Sequence, residues 1–392
     1  MLDIHHLARS GFILALLALA LLILAFCCVP VAQGAWISFF AVSDPQFTFG
    51  NDRRAFRTLA DVAMLTKQCQ DCSKVLPIAG DLTMDGHGKA LYAKAYQFIE
   101  QQGVKPLDGL GNHDTQFFSA DTTSFNGLSN LLKGESLTQK GWNIFHFSKK
   151  MMKLDGGDCD IHNAYCQQAK AYYYTVRLQN PMDPSGEVFL VQLHNHLYSN
   201  SVIDYLTALL KDKGDEIGQS PIIFVVHQLS EPPLEKKMID RKKMSLQSTI
   251  KNRLIEWVRQ RNVVAVIHGH YACQPVDKQY YHCNAKHNEL LQTVNAQGDK
   301  LMNRYGAAVP RFNVSAAFNG IFWAFRINTQ TDQLCYKRMD QAYLDNVQDY
   351  RGKLDDMLAT FPPLVNNMPF KHSSFLCYED FSTQKTRLTH NE

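Results

Sequence analysis

An excess of charge of either sign is nearly missing from this chain: 40 basic residues against 37 acidic ones leave a net charge of +3 over 392 positions. That balance excludes the concentrated basic face with which a protein grips nucleic acid. No internal repeat is visible, so the fold is not a stack of copies. A second Cys-x-x-Cys pair to match Cys69-Gln70-Asp71-Cys72 is also lacking, which favours a structural bridge there over a redox or zinc pair. What the chain does have is apolar material. Hydrophobic residues make up 45%, enough for a sizeable core in one large α/β domain or two smaller ones, and too much for disorder to dominate. The densest basic run, Glu235 to Lys243, reads as a solvated loop or helix face rather than a lipid contact.

A long hydrophobic run opens the chain. Gly11 to Val29 follows a short head containing His5, His6 and Arg9, the layout of an export signal or signal anchor, and its length alone spans a bilayer. Ala32 and Gly34 put small residues at the two positions a signal peptidase inspects. Residues 1–34 are therefore expected to be removed as a signal peptide, with a retained anchor as the alternative, and the first core strand follows almost at once at Trp36. The expected location is exported, whether periplasmic, secreted or lumenal, or membrane-anchored if the segment persists. Cysteines Cys69, Cys72, Cys159, Cys166, Cys273, Cys283, Cys335 and Cys377 lie beyond it. An even count in an exported chain points to disulfides. Local spacing pairs Cys69 with Cys72, Cys159 with Cys166 and Cys273 with Cys283, leaving Cys335 and Cys377, although spacing does not prove connectivity.

Short polar islands then recur, each at the end of an apolar run: Asp44-Pro45-Gln46, Gly80-Asp81, Gly111-Asn112-His113-Asp114, His227 and Gly269-His270. The runs before them, such as Ile37–Val42, Val75–Ala79, Pro221–Val226 and Val263–Ile267, have the continuous apolar character of buried parallel strands. In open α/β sheets, residues at the carboxyl ends of strands converge in one crevice. Oxygen and imidazole donors gathered there make a cage for divalent cations. Singly, each island has an ordinary explanation: Asp81 as a cap, Asp44 as a turn residue, His227 as a satisfied core histidine.

Helical spacing over 52–68 and again over 88–102 sets βαβ units between the first three runs, with the third strand over Pro106–Leu110. Residues 115–170 are irregular and too long for an ordinary connection, which suggests an insertion capping the site. Ala171–Leu178 and Glu187–Leu193 read as paired strands across the turn 180–186. Helices are expected over Val202–Lys211 and Ser245–Arg259, and Arg311–Ala316, Ile321–Asn328 and Gln333–Arg338 alternate like an antiparallel edge. Tyr172-Tyr173-Tyr174 reads as core packing before it reads as a substrate groove.

The ordered set Asp-x-Gln, Gly-Asp, Gly-Asn-His-Asp, His and Gly-His resembles the calcineurin-like metallophosphoesterase family, over Asp44 to about Ala272. The resemblance implies an α/β (α+β) fold: a β-sandwich of mixed sheets flanked by helices, with a dinuclear metal site at the carboxyl ends of the strands. That domain would cover 35–340, with 341–392 as a C-terminal extension packed on it. Position by position, the resemblance implies that Asp44 and Gln46 serve a first metal, that Asp81 bridges both, and that Asn112, His227 and His270 serve the second. His113 would protonate the leaving group, and Asp114 would orient its imidazole. The implied cofactors are two divalent ions, Mn, Fe or Zn.

This chain departs from the family pattern twice: Gln46 stands where a histidine is usual, and Ala272 stands where a second histidine is usual. The first metal is therefore expected to be the weaker one. His194, His196 and His268 are candidate replacements, His194 and His196 sharing one face if the strand before them continues. The expected function is an exported, metal-dependent phosphoesterase in which a metal-bound hydroxide attacks a phosphate ester and His113 donates the proton. The expected partner is a phosphorylated substrate, with a membrane involved only if the N-terminal segment is retained. Two alternatives come from other classes: a degenerate relative that binds a phosphorylated ligand without turnover, and a membrane-anchored interaction protein.

Overall fold

The apolar runs become strands because β-branched and aromatic residues suit a surface buried on both faces. The computed structural model of the chain describes residues 36–48, 50, 52–84, 88–111, 113–114, 144–147, 152–153, 170–171, 173–193, 197–229, 241–270, 301–314, 316–340 and 375–378. In chain order these hold β1 (Trp36–Ala41), α1 (Asp52–Gln68), β2 (Val75–Ile78), α2 (Lys89–Gln101), β3 (Lys105–Asp108), β4 (Ile144–Phe147), β5 (Met152–Lys153) and β6 (Lys170–Ala171). There follow β7 (Tyr174–Asn180), β8 (Asp183–Gln192), α3 (Asn200–Ile217), β9 (Ile222–Val226), α4 (Arg241–Arg259), β10 (Val263–His268), β11 (Arg311–Asn313), β12 (Ile321–Asn328), β13 (Leu334–Asp340) and β14 (Leu376–Tyr378). Among the described residues no helix is long and apolar enough to cross a membrane. The expected signal segment lies outside them, as does most of the expected C-terminal extension.

Two sheets face each other. One runs β1-β12-β13-β14, and parallel bridges at Ser38–Cys72 and Val42–Ile78 join β1 to the parallel pair β2-β3. The other runs β11-β10-β9-β8-β7-β4, parallel from β11 to β8 and antiparallel from β8 to β4. Between them, Ile37 and Phe39 of β1 and Trp323 and Phe325 of β12 pack with Leu190, Ile223, Val225, Ala265 and Ile267. Burying each such large side chain contributes about 1.5–3 kcal/mol. The alternate residues Phe40, Leu76 and Ile78 face α1 and α2 through Phe56, Leu59, Tyr92 and Ile99. Phe189, Phe224 and Val266 face α3 and α4 through Leu206, Leu209, Leu254 and Trp257. The period-two alternation of the strands thus divides the core into three apolar layers, and the result is a mixed-sheet sandwich flanked by helices. Ser199 begins α3 by accepting the Val202 amide at 3.2 Å, a cap worth about 1 kcal/mol.

Several sequence expectations change. The expected seven-residue turn contracts, because β8 starts at Asp183 and only Pro181 and Met182 separate it from β7. Of the three late strands, β12 and β13 pair antiparallel as expected, but the three do not form one antiparallel edge. β11 pairs parallel to β10, and β12 lies inside its sheet between β1 and β13, buried along its whole length. Alternation failed as a guide there because both faces of β12 are covered. Part of 115–170 belongs to the frame as well: β4 extends the second sheet beside β7. Disulfides link Cys69 to Cys72 and Cys335 to Cys377, the second joining directly opposed residues of β13 and β14. The other four cysteines beyond the N-terminal segment lie outside the described residues. Tyr173 and Tyr174 are core residues on opposite faces of their sheet.

Candidate metal centre

Parallel strands from both sheets end at one edge of the sandwich, and their next residues turn sharply. Of the six described non-glycine residues with positive φ, four are Asp44 (49°), Gln46 (40°), Asp81 (50°) and His270 (73°). Left-handed backbone costs such residues on the order of 1 kcal/mol or more, and that strain gathers at functional sites. Backbone bonds hold these turns: Asp44 donates to Gly80 O at 3.0 Å, Gln46 to Asp81 O at 2.9 Å, and Gly269 to His227 O at 3.1 Å. Two glycines make the approach close enough. A Cβ on Gly269 would lie 2.5 Å from Asp44 Oδ2 and 2.9 Å from Ala79 O, and one on Gly111 would collide with the Asp81 carboxylate.

Three side chains converge. His227 Nε2 lies 3.2 Å from Asp81 Oδ2 and 3.3 Å from His270 Nδ1. One ligand atom from each of Asp81, His227 and His270 falls within 4.8 Å of the others. His227 Nδ1 lies 2.9 Å from Ala79 O, a contact that fixes the ring so that Nε2 faces the pocket. A carboxylate oxygen and two imidazole nitrogens suit a borderline divalent cation, so the donor set fits a metal. The other thiol and carboxylate cluster, Cys69, Asp71 and Cys72, does not, since its sulfurs are bonded to each other and thiolates are the ligating form.

Charge is crowded here. Burial alone would raise the Asp81 carboxyl; the His227 ring, nearby His113 and the Gln46 amide overturn that and hold it down at about 2. Burial favours neutral His227, yet Asp81 and Asp44 push it up to about 9. Asp44 is raised well above the usual carboxylate range, first by burial and also by Asp81 and Asp114, against the pull of His227. Three buried carboxylates beside a single strongly cationic imidazole make a pocket in which an added cation is stabilised.

Asp114 departs from its expected role. Its Oδ2 accepts the amides of Leu82 at 3.0 Å and Gly111 at 2.9 Å, and its Oδ1 accepts the Thr83 amide at 3.0 Å and hydroxyl at 3.2 Å. A carboxylate has about four lone-pair sites, and these four donors fill them. Asp114 therefore staples the Asp81 turn to the His113 turn instead of orienting the His113 ring. Asp81 likewise offers less than expected, because its Oδ1 accepts the His113 amide at 3.0 Å. Gln46 donates Nε2 to Asp81 Oδ2 at 2.9 Å, and Asp44 Oδ2 accepts the His270 amide at 3.0 Å and the Ser43 hydroxyl.

The structure thus gathers Asp44, Gln46, Asp81, His113, Asp114, His227 and His270. Asn112, His194, His196 and Ala272 lie outside the described residues. His268 is buried, its Nδ1 3.1 Å from Gly269 O, and burial lowers it to about 3. Ser43 and Thr83 were not singled out from sequence; their only signal was a hydroxyl within two residues of an island carboxylate.

No family model and no curated protein matches the chain. Among solved structures it is similar to a dimetal phosphatase from Danio rerio, with a TM-score of 0.40 and 10% identity, covering 78% of this chain and 96% of that one. It is also similar to the protein TT1561 of Thermus thermophilus, with a TM-score of 0.35 and 10% identity, covering 78% of this chain and 99% of that one. At these TM-scores the likeness carries no argument, and the reading of the centre stands on its own geometry.

Proposed function

We propose that this protein is a metal-dependent hydrolase of phosphate esters. The observation that carries the reading is the convergence of Asp81 Oδ2, His227 Nε2 and His270 Nδ1 at strand ends, with Asp81 and His270 held in left-handed backbone. A divalent ion held by those atoms supplies Lewis acidity toward a phosphoryl oxygen and a nucleophile at neutral pH. The chain's own residues do the rest. Half-buried His113 is the proton donor to the departing oxygen, and its backbone amide, bonded to Asp81 Oδ1, sets its distance from the centre. Asp114 holds the turn that carries it.

Export fits the two disulfides, which persist in oxidising compartments, and the N-terminal segment is read as a cleaved signal. The partner is then a phosphorylated substrate met outside the cytoplasm.

The test is hydrolysis of generic aryl phosphate mono- and diesters by the full chain with added Mn. Turnover that falls on the order of 10²-fold or more in His113→Ala, with metal content intact, supports the reading. No turnover with any added ion, in protein that still binds an ion, supports the ligand-binding alternative instead.

A further inference from the structure

We infer that this centre holds one divalent cation rather than two, with Gln46 standing in the second position. The inference rests on the metal-centre reading above and deepens it. A carboxylate joins two cations by turning an oxygen to each, or by sharing one oxygen between them. Asp81 does neither freely. Its Oδ1 is turned toward the backbone of Gly111 and His113, accepting the His113 amide at 3.0 Å and lying where a Gly111 side chain would begin. Only Oδ2 faces the donors of His227 and His270, and Gln46 Nε2 lies 2.9 Å from that same oxygen.

The Gln46 amide thus presents N–H where a second cation would sit, and two positive groups cannot share one lone pair. Its backbone is fixed in the same sense, since the Gln46 amide N–H donates to Asp81 O at 2.9 Å and φ is 40°. Asp44 is engaged as well. Its Oδ2 accepts the His270 amide and the Ser43 hydroxyl, so that oxygen positions the His270 turn. Ala272, a methyl side chain, adds no donor. Among the described residues, Asp81 Oδ2, His227 Nε2 and His270 Nδ1 remain as one set for one ion, and the Gln46 and His113 N–H groups neutralise in part the charge a second ion would have met.

The experiment is metal stoichiometry on the full chain purified in mild detergent, stripped with chelator and titrated with Mn. Bound metal is read by elemental analysis after dialysis and by electron paramagnetic resonance, which separates an isolated Mn ion from a coupled pair. One equivalent with the spectrum of an isolated ion is expected. Gln46→His combined with Ala272→His is expected to add a second. Two equivalents or a coupled spectrum in the wild-type chain overturn the single-ion centre and leave the hydrolase reading standing. No bound Mn at all overturns both readings.

Discussion

Nε2 of His227 lies 3.2 Å from Oδ2 of Asp81, and both side chains are buried. The two residues follow strands of different sheets, so the pair closes the sandwich at the edge where the candidate centre sits. It is an ion pair that a bound cation must replace, because a ligating imidazole is neutral.

The first prediction concerns pH. Asp81 is held at about 2, below the ordinary carboxylate value of about 3.9, so its contribution is present above about pH 4 and is lost as pH falls toward 2. His227 is pushed up to about 9, above the ordinary value of about 6.5, so its contribution is complete below pH 6.5 and is lost as pH rises through 9. Urea unfolding in chelator should show stability declining from neutral pH toward pH 9, and Asp81→Asn should flatten that limb. Metal binding near pH 7 should release a proton, measurable by calorimetry in buffers of different ionisation enthalpy. Binding without proton release would remove His227 from the ligand set.

A second prediction separates Asp114 from the chemistry. Asp114→Ala leaves the amides of Leu82, Thr83 and Gly111 without their acceptor. Each buried amide left unpaired costs about 1–3 kcal/mol. The denaturation midpoint should fall by the equivalent of about 3 kcal/mol or more, measured in chelator so that metal loss does not contribute. If stability is unchanged while turnover drops, Asp114 acts on His113 after all.

The disulfides give a third. Cys335 and Cys377 are separated by 42 residues and Cys69 and Cys72 by 3. Loop-closure entropy then assigns about 4 kcal/mol to the first and under half of that to the second. Removing Cys335–Cys377 by paired Ala substitution should lower stability more than removing Cys69–Cys72, as judged by thermal midpoints of the two variants. The reverse order would show that native-state contacts near Asp71, which bonds to Ser38 and Arg326, outweigh chain entropy.

Much of the frame was readable before any coordinates. The runs at Ile37, Val75, Pro221 and Val263 are strands within a residue or two of where apolar continuity put them, because a strand buried on both faces has no other way to be written. Two helices ran longer than expected, α3 reaching Ile217 and α4 starting at Arg241, since polar ends carry no periodic signal. β12 was misplaced at an edge because neighbours, and not its own residues, decide how many faces are covered.

At the centre the division is sharper. Residue type and order alone placed carboxylates and imidazoles after successive strands, and parallel topology requires those ends to meet, so the chemistry of the site was written in the sequence. Which oxygen of Asp81 faces the pocket, which donors fill Asp114, and where the Gln46 amide points were decided only by the fold. Those outcomes depend on backbone amides of Leu82, Thr83, Gly111, His113 and His270. Every residue but proline carries such an amide, so no sequence pattern marks the few that tertiary structure turns toward a carboxylate.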